Sequence, residues 1–111
     1  MVLEICTYLL KPGTGLEFSE VMREESVPLL RRVGIRVVDH GASMADEDGR
    51  EEAYLIRAFS SMEQRHRQKK EFYDSDAWRQ GPREAIVSRI LESHTVVLDP
   101  EEGLARALRT W

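Results

Sequence analysis

A chain of 111 residues fits one domain with a single modest core and leaves no room for a second. Apolar residues make up 41% and charged residues 32%, which excludes an extended disordered chain. A net charge of −4 argues against a nucleic-acid partner, and Cys6, as the sole cysteine, excludes an intrachain disulfide.

The N-terminus enters a strand pattern directly. It has no basic region followed by an apolar one, and no apolar run reaches the length of a membrane span. These features read as a cytoplasmic protein with no membrane partner.

Residues 2–10 alternate as a strand. Leu3, Ile5, Thr7 and Leu9 form one face, expected as core; Glu4, Cys6 and Tyr8 form the other. Lys11-Pro12-Gly13 ends the strand. A helix follows from about Thr14, with Phe18, Val21, Met22, Leu29 and Val33 at helical spacing. Pro28 predicts a kink or break in it, and Gly34 a left-handed cap at its end.

Residues 35–44 read as a second strand with faces Ile35, Val37, Asp39, Gly41 and Arg36, Val38, His40, Ala42. The Asp46-Glu47-Asp48-Gly49 run signals a hairpin into a third strand over about 51–59. The next helix starts at Ser60 or Ser61, with Ser60 and Glu63 fitting a capping box, and reaches about Tyr73. The inner stripe of that helix is thin: Met62, Arg65 or His66, Lys69, and Phe72 or Tyr73. The basic stems are expected to pack while their heads stay in water. Asp74-Ser75-Asp76 breaks the helix before a short turn holding Trp78.

Gly81-Pro82 restarts a helix carrying Ala85, Ile86, Ile90 and Leu91, and residues 94–98 form a fourth strand. Residues 99–111 open on Asp99-Pro100 as a short tail helix. The order β-α-β-β-α-α-β collapses to βαββαβ, an α+β ferredoxin-like unit with a four-stranded antiparallel sheet. Helices then cover one sheet face, and a second copy is the natural cover for the other, so a homodimer is expected.

Two stretches resemble the NIPSNAP family, a branch of the dimeric α/β-barrel superfamily. Residues 3–13, LEICTYLLKPG, resemble its opening strand and keep Glu4, Thr7, Tyr8, Lys11, Pro12 and Gly13. In the second, Phe59, Ser61, Arg65, Asp76 and Trp78 fall where the family has an aromatic, a serine, an arginine, an acid and a tryptophan. Cys6 stands where the family commonly has arginine, and Leu55 and Arg57 stand where a His-Leu-Trp type pattern is common. The resemblance implies a homodimer whose two sheets face each other around a central barrel, with a cavity in each half. Related barrels include cofactor-free monooxygenases, so no cofactor is expected.

In such a barrel Glu4, Cys6 and Tyr8 point inward, and the third strand adds Leu55, Arg57 and Phe59. Glu4 and Arg57 either form a buried structural ion pair or bind a polar substrate group beside Tyr8. His40 is either a general base or a satisfied strand residue. Cys6 is either a nucleophile or a small buried hydrophobe. Trp78 is either an anchor or a wall of the cavity mouth. No histidine pair has metal-ligand spacing, so no metal is expected. These residues are the candidates for a small-molecule ligand; the alternative is a non-catalytic interaction module with a filled barrel.

Overall fold

The computed structural model describes residues 1–45, 47–100, 106 and 109. Strand β1 (Val2–Leu10) leads to α1 (Gly15–Val21), a π-helical segment (Met22–Ser26) and α2 (Val27–Arg32). Strands β2 (Arg36–Ala42) and β3 (Glu52–Phe59) follow, then α3 (Met62–Asp74), α4 (Asp76–Arg79), α5 (Arg83–Val87) and β4 (Ile90–Leu98). The sheet has the order β2-β3-β1-β4 with every pairing antiparallel, which is the βαββαβ arrangement. Among the described residues, no helix is long and apolar enough to cross a membrane. The tail helix expected over 99–111 lies, apart from positions 99, 100, 106 and 109, outside the described residues. So does Asp46 of the hairpin signal.

The two faces of β1 are the reverse of the expected core assignment. The helix-covered face carries Val2, Glu4, Cys6 and Leu10, all buried, with Tyr8 half-buried; on the other face Leu3 is buried, but Thr7 is exposed and Ile5 and Leu9 are only half-buried. Apolar count misled the assignment here: the polar Glu4 and Cys6 are buried because their partners are buried with them. The uncovered face reads in rows across the sheet. Ala58–Leu3–Leu98 and Ile56–Ile5–Val96 are apolar; Tyr54–Thr7–His94 is mixed; Glu52–Leu9–Glu92 is acidic at its flanks. Residues 91–98 of β4 are exposed throughout, so the helices leave this edge strand open on both faces.

Pro28 does not stop the helical run: α1, the π-helical segment and α2 follow one another without a gap. A proline cannot donate to the carbonyl four residues back and its ring collides with it. The preceding turn widens instead, and the Val27 N–H reaches the Met22 carbonyl five residues back. Gly34 ends α2 as expected, with φ of 88°. Its N–H donates to the Arg31 carbonyl and the Ile35 N–H to the Leu30 carbonyl, both at 3.0 Å, closing a Schellman motif over the buried Leu30–Ile35 contact.

Three further expectations are corrected. In β2 the register slips between Val37 and Asp39, so Val37 opposes Arg57 while Asp39 opposes Ile56 and His40 opposes Leu55. The bulge turns both Val37 and His40 toward the helices, which strict alternation does not allow. The cap of α3 sits one residue later than the Ser60–Glu63 box: Ser61 Oγ accepts from the Gln64 N–H at 3.0 Å, and Gln64 Oε1 accepts from the Ser60 N–H and hydroxyl at 2.6 Å each. Ile90 and Leu91 belong to β4, not to the preceding helix, because α5 stops at Val87 and Lys11 N–H pairs with the Arg89 carbonyl to start the strand.

Candidate functional site

Glu4 stands at the centre of the polar interior. Its register partner on β3 is Arg57, and the two side chains leave the sheet on the same, helix-covered face. Arg57 Nε donates to Glu4 Oε1 at 2.7 Å, and a terminal guanidinium nitrogen closes the ion pair on the same oxygen. The other oxygen, Oε2, accepts from Arg65 Nε and Lys69 Nζ, each at 2.8 Å. These two residues lie one turn apart on α3, so both heads reach the same point on the sheet. Glu4 is 0% exposed and Arg57 1%, against 14% for Arg65 and 24% for Lys69.

Other groups complete the cluster. The Cys6 thiol donates to Glu4 Oε1 at 3.3 Å and lies 3.6 Å from the Thr95 hydroxyl. Arg57 Nη1 donates to the Tyr73 hydroxyl at 2.8 Å, and its guanidinium also sits 5.7 Å from the centre of the Tyr73 ring. Trp78 packs edge-on against Tyr73 and at a tilt against Phe72, with ring centres 5.3 Å apart in both pairs. Ser75 holds Trp78 in place by accepting its backbone N–H at 3.3 Å.

Burial works to raise the Glu4 pKa, but the Arg57 charge and the bond and charge of Lys69 outweigh it and hold the carboxyl at about 2. Tyr8 is pushed well above the usual phenol range, by burial first and then by its neighbours Cys6 and Tyr73, so it stays a neutral phenol. Arg57 stays charged: burial opposes its charge, and Tyr73 and Glu4 more than offset that.

The structure thus joins Glu4, Cys6 and Arg57 in direct contact, brings Tyr8 beside them, and sets Trp78 one ring behind Tyr73. It does not bring in His40 or Phe59. His40 occupies the row of Leu55 and Cys6, two strands away from β1. There it borders a hollow of about 10 Å³ with Phe18 and Met22, room for one water at most. Phe59 is buried at the Val2 end of β3. A single pocket lined by Glu4, Tyr8, His40 and Arg57 is therefore not formed. A surface hollow of about 440 Å³ lies elsewhere, between Leu16, Ala42 and Arg50.

Arg65, Lys69 and Tyr73 were not expected at the site. They are spaced four apart and form one stripe of α3, which was the available signal. The heads of Arg65 and Lys69 stay only partly in water, because a buried carboxylate lies within their reach.

Comparison with known proteins follows the same lines. No curated protein matches the chain significantly. An uncharacterized NIPSNAP domain protein from Burkholderia xenovorans is 21% identical, with 92% of this chain and 96% of that one covered and a TM-score of 0.75. A NIPSNAP family protein of unknown function from Agrobacterium tumefaciens is 24% identical over 90% of this chain and 87% of that one, also with a TM-score of 0.75. A putative antibiotic biosynthesis monooxygenase from Nitrosomonas europaea shares the fold at 16% identity and a TM-score of 0.63, covering 90% and 98%. These likenesses establish the ferredoxin-like fold. The sequence model of the NIPSNAP family matches residues 3–101, nearly the whole chain, and the protein belongs to that family.

Proposed function

We propose that this chain works as a homodimer, and that each copy binds or transforms a small organic molecule where β1, β3 and α3 meet. The observation that carries the ligand reading is the charged cluster itself. A structural ion pair needs one cation for Glu4; this cluster supplies three, two of them partly open to solvent. The exposed Thr95 of β4 lies beside Cys6, at the edge of the cluster. The apolar rows of the uncovered sheet face support the homodimer, since Val96 and Leu98 there are more than a third exposed in the single chain.

The test is a fragment screen on isotope-labelled protein, read at the Arg57 Nε–H and the Cys6 and Tyr73 amides. Fragments that move these signals together support the site. A broad library that moves none of them rejects it and favours the second reading, an interaction module with a filled interior. That reading draws on the close packing around Glu4, which accepts from four side chains.

A further inference from the structure

We infer that the ligand of this site is a small organic anion, whose carboxylate or phosphate group is taken by Arg65 and Lys69. The inference rests on the site proposed above and goes further by naming the chemical class and the residues that select it.

Within the cluster, one carboxylate faces Arg57, Arg65 and Lys69, and no second carboxylate bonds to any of the three among the described residues. The acidic groups nearest along α3 are engaged elsewhere or point away: Asp74 pairs with Lys70, and Glu63 and Glu71 are exposed. Two positive charges are left without a counter-charge in a partly desolvated setting, where that is costly. This imbalance is local, since the chain as a whole is acidic. An added anion relieves it; a neutral or cationic ligand does not.

Donor count leads to the same residues. Arg65 spends only Nε on Glu4, so its two terminal nitrogens carry no bond within the described residues. Lys69 makes one bond, to the same Glu4 oxygen, and retains two N–H groups. Both heads are partly exposed, and both are already positioned by Glu4, so little side-chain freedom is lost on binding. Glu4 thus acts as the positioning residue that presents the two cations side by side. Arginine suits this task, because its planar fork matches two oxygens of one carboxylate or phosphate.

The surroundings suit an organic anion better than a bare ion. Behind the cations, the Tyr73 hydroxyl accepts from Arg57 and keeps its own proton to donate. Tyr73 is half-buried and backed by the buried Phe72 and Trp78, so its ring is the aromatic surface nearest the cations for a ligand body.

The experiment titrates the labelled full-length protein with benzoate, phenyl phosphate and benzamide, at ionic strength held constant with sodium chloride. Benzoate and benzamide differ chiefly in charge. Both anions are expected to shift the Arg65 Nε–H signal and to bind about tenfold or more tightly than benzamide. Arg65→Gln and Lys69→Gln should each weaken benzoate about tenfold while folding normally, because Arg57 and the remaining cation still pair with Glu4. Benzamide binding the cluster as well as benzoate would leave the site standing and overturn its charge class. Benzoate binding unchanged in both variants would remove Arg65 and Lys69 from the role. If none of the three compounds perturbs any residue of the cluster at millimolar concentration, the anion assignment falls. If the broad fragment screen is also silent there, the ligand site falls with it.

Discussion

Glu4 accepts from Arg57, Arg65, Lys69 and Cys6, which stand on β3, on α3 twice and on β1 itself. Half of this arrangement was legible in the sequence. An isolated arginine within an apolar strand needs a carboxylate, and antiparallel register puts Glu4 opposite it. The other half was not legible, because periodicity reports apolar stripes and is silent about a polar stripe that folds inward. The energetic consequence can be measured. Glu4 ionises at about 2 in the folded chain, below its ordinary value near 4.5. A depressed carboxylate pKa adds stability that is fully present above 4.5 and is lost as the pH falls through 2, amounting to about 3 kcal/mol. Glu4→Gln should therefore cost roughly 3–5 kcal/mol at pH 7, since it leaves Arg57 buried without its counter-charge. Urea denaturation at a series of pH values should show the gap between the two proteins constant above pH 4.5 and closing toward pH 2. A gap that does not change with pH would contradict the assignment of the charge to Glu4.

The helices illustrate how local sequence sets the geometry that the cluster needs. In α3 the cap decides where the helix starts, and hence which residues, Arg65 and Lys69, face the sheet. A Ser60–Glu63 box and a Ser61–Gln64 cap make opposite forecasts for single substitutions. Ser61→Ala should cost about 1 kcal/mol, and Glu63→Ala only a few tenths through its interaction with the helix dipole. Thermal denaturation that ranks the two the other way would restore the earlier box. In the first helix the widened turn ahead of Pro28 carries a second observable. Ser26 is buried there, and its hydroxyl has no hydrogen-bond partner among the described residues. An unpaired buried hydroxyl costs stability, so Ser26→Ala should be neutral or stabilising by up to about 1 kcal/mol. A clear loss of stability would mean that the hydroxyl has a partner. Neither the π-helical turn nor the β2 bulge was legible, because each is a one-residue adjustment that leaves the apolar pattern almost unchanged.

At the scale of the whole molecule, the topology followed from the order of elements, since a hairpin between two helical crossovers leaves few ways to close a four-stranded sheet. What the order did not reveal was which sheet face the helices take. Burying Glu4 with its cations puts the more uniformly apolar rows outside, on the face the helices leave open. That inversion gives the proposed homodimer its driving force. A second copy laid across the rows through Leu3 and Ile5 covers apolar side chains, while the row of Glu52 and Glu92 is better kept at a wet rim. Val96 ends the apolar row of Ile56 and Ile5 on the edge strand, 39% exposed in the single chain, so a polar residue there is tolerated by the isolated fold. Val96→Lys should therefore convert a dimer to a monomer at micromolar concentration with an unchanged far-ultraviolet spectrum, because two copies related by a twofold axis would each bury the added charge. Light scattering and sedimentation read the outcome. A wild-type monomer at the same concentration would remove the shared barrel, and a Val96→Lys protein that stays dimeric would move the interface to another face.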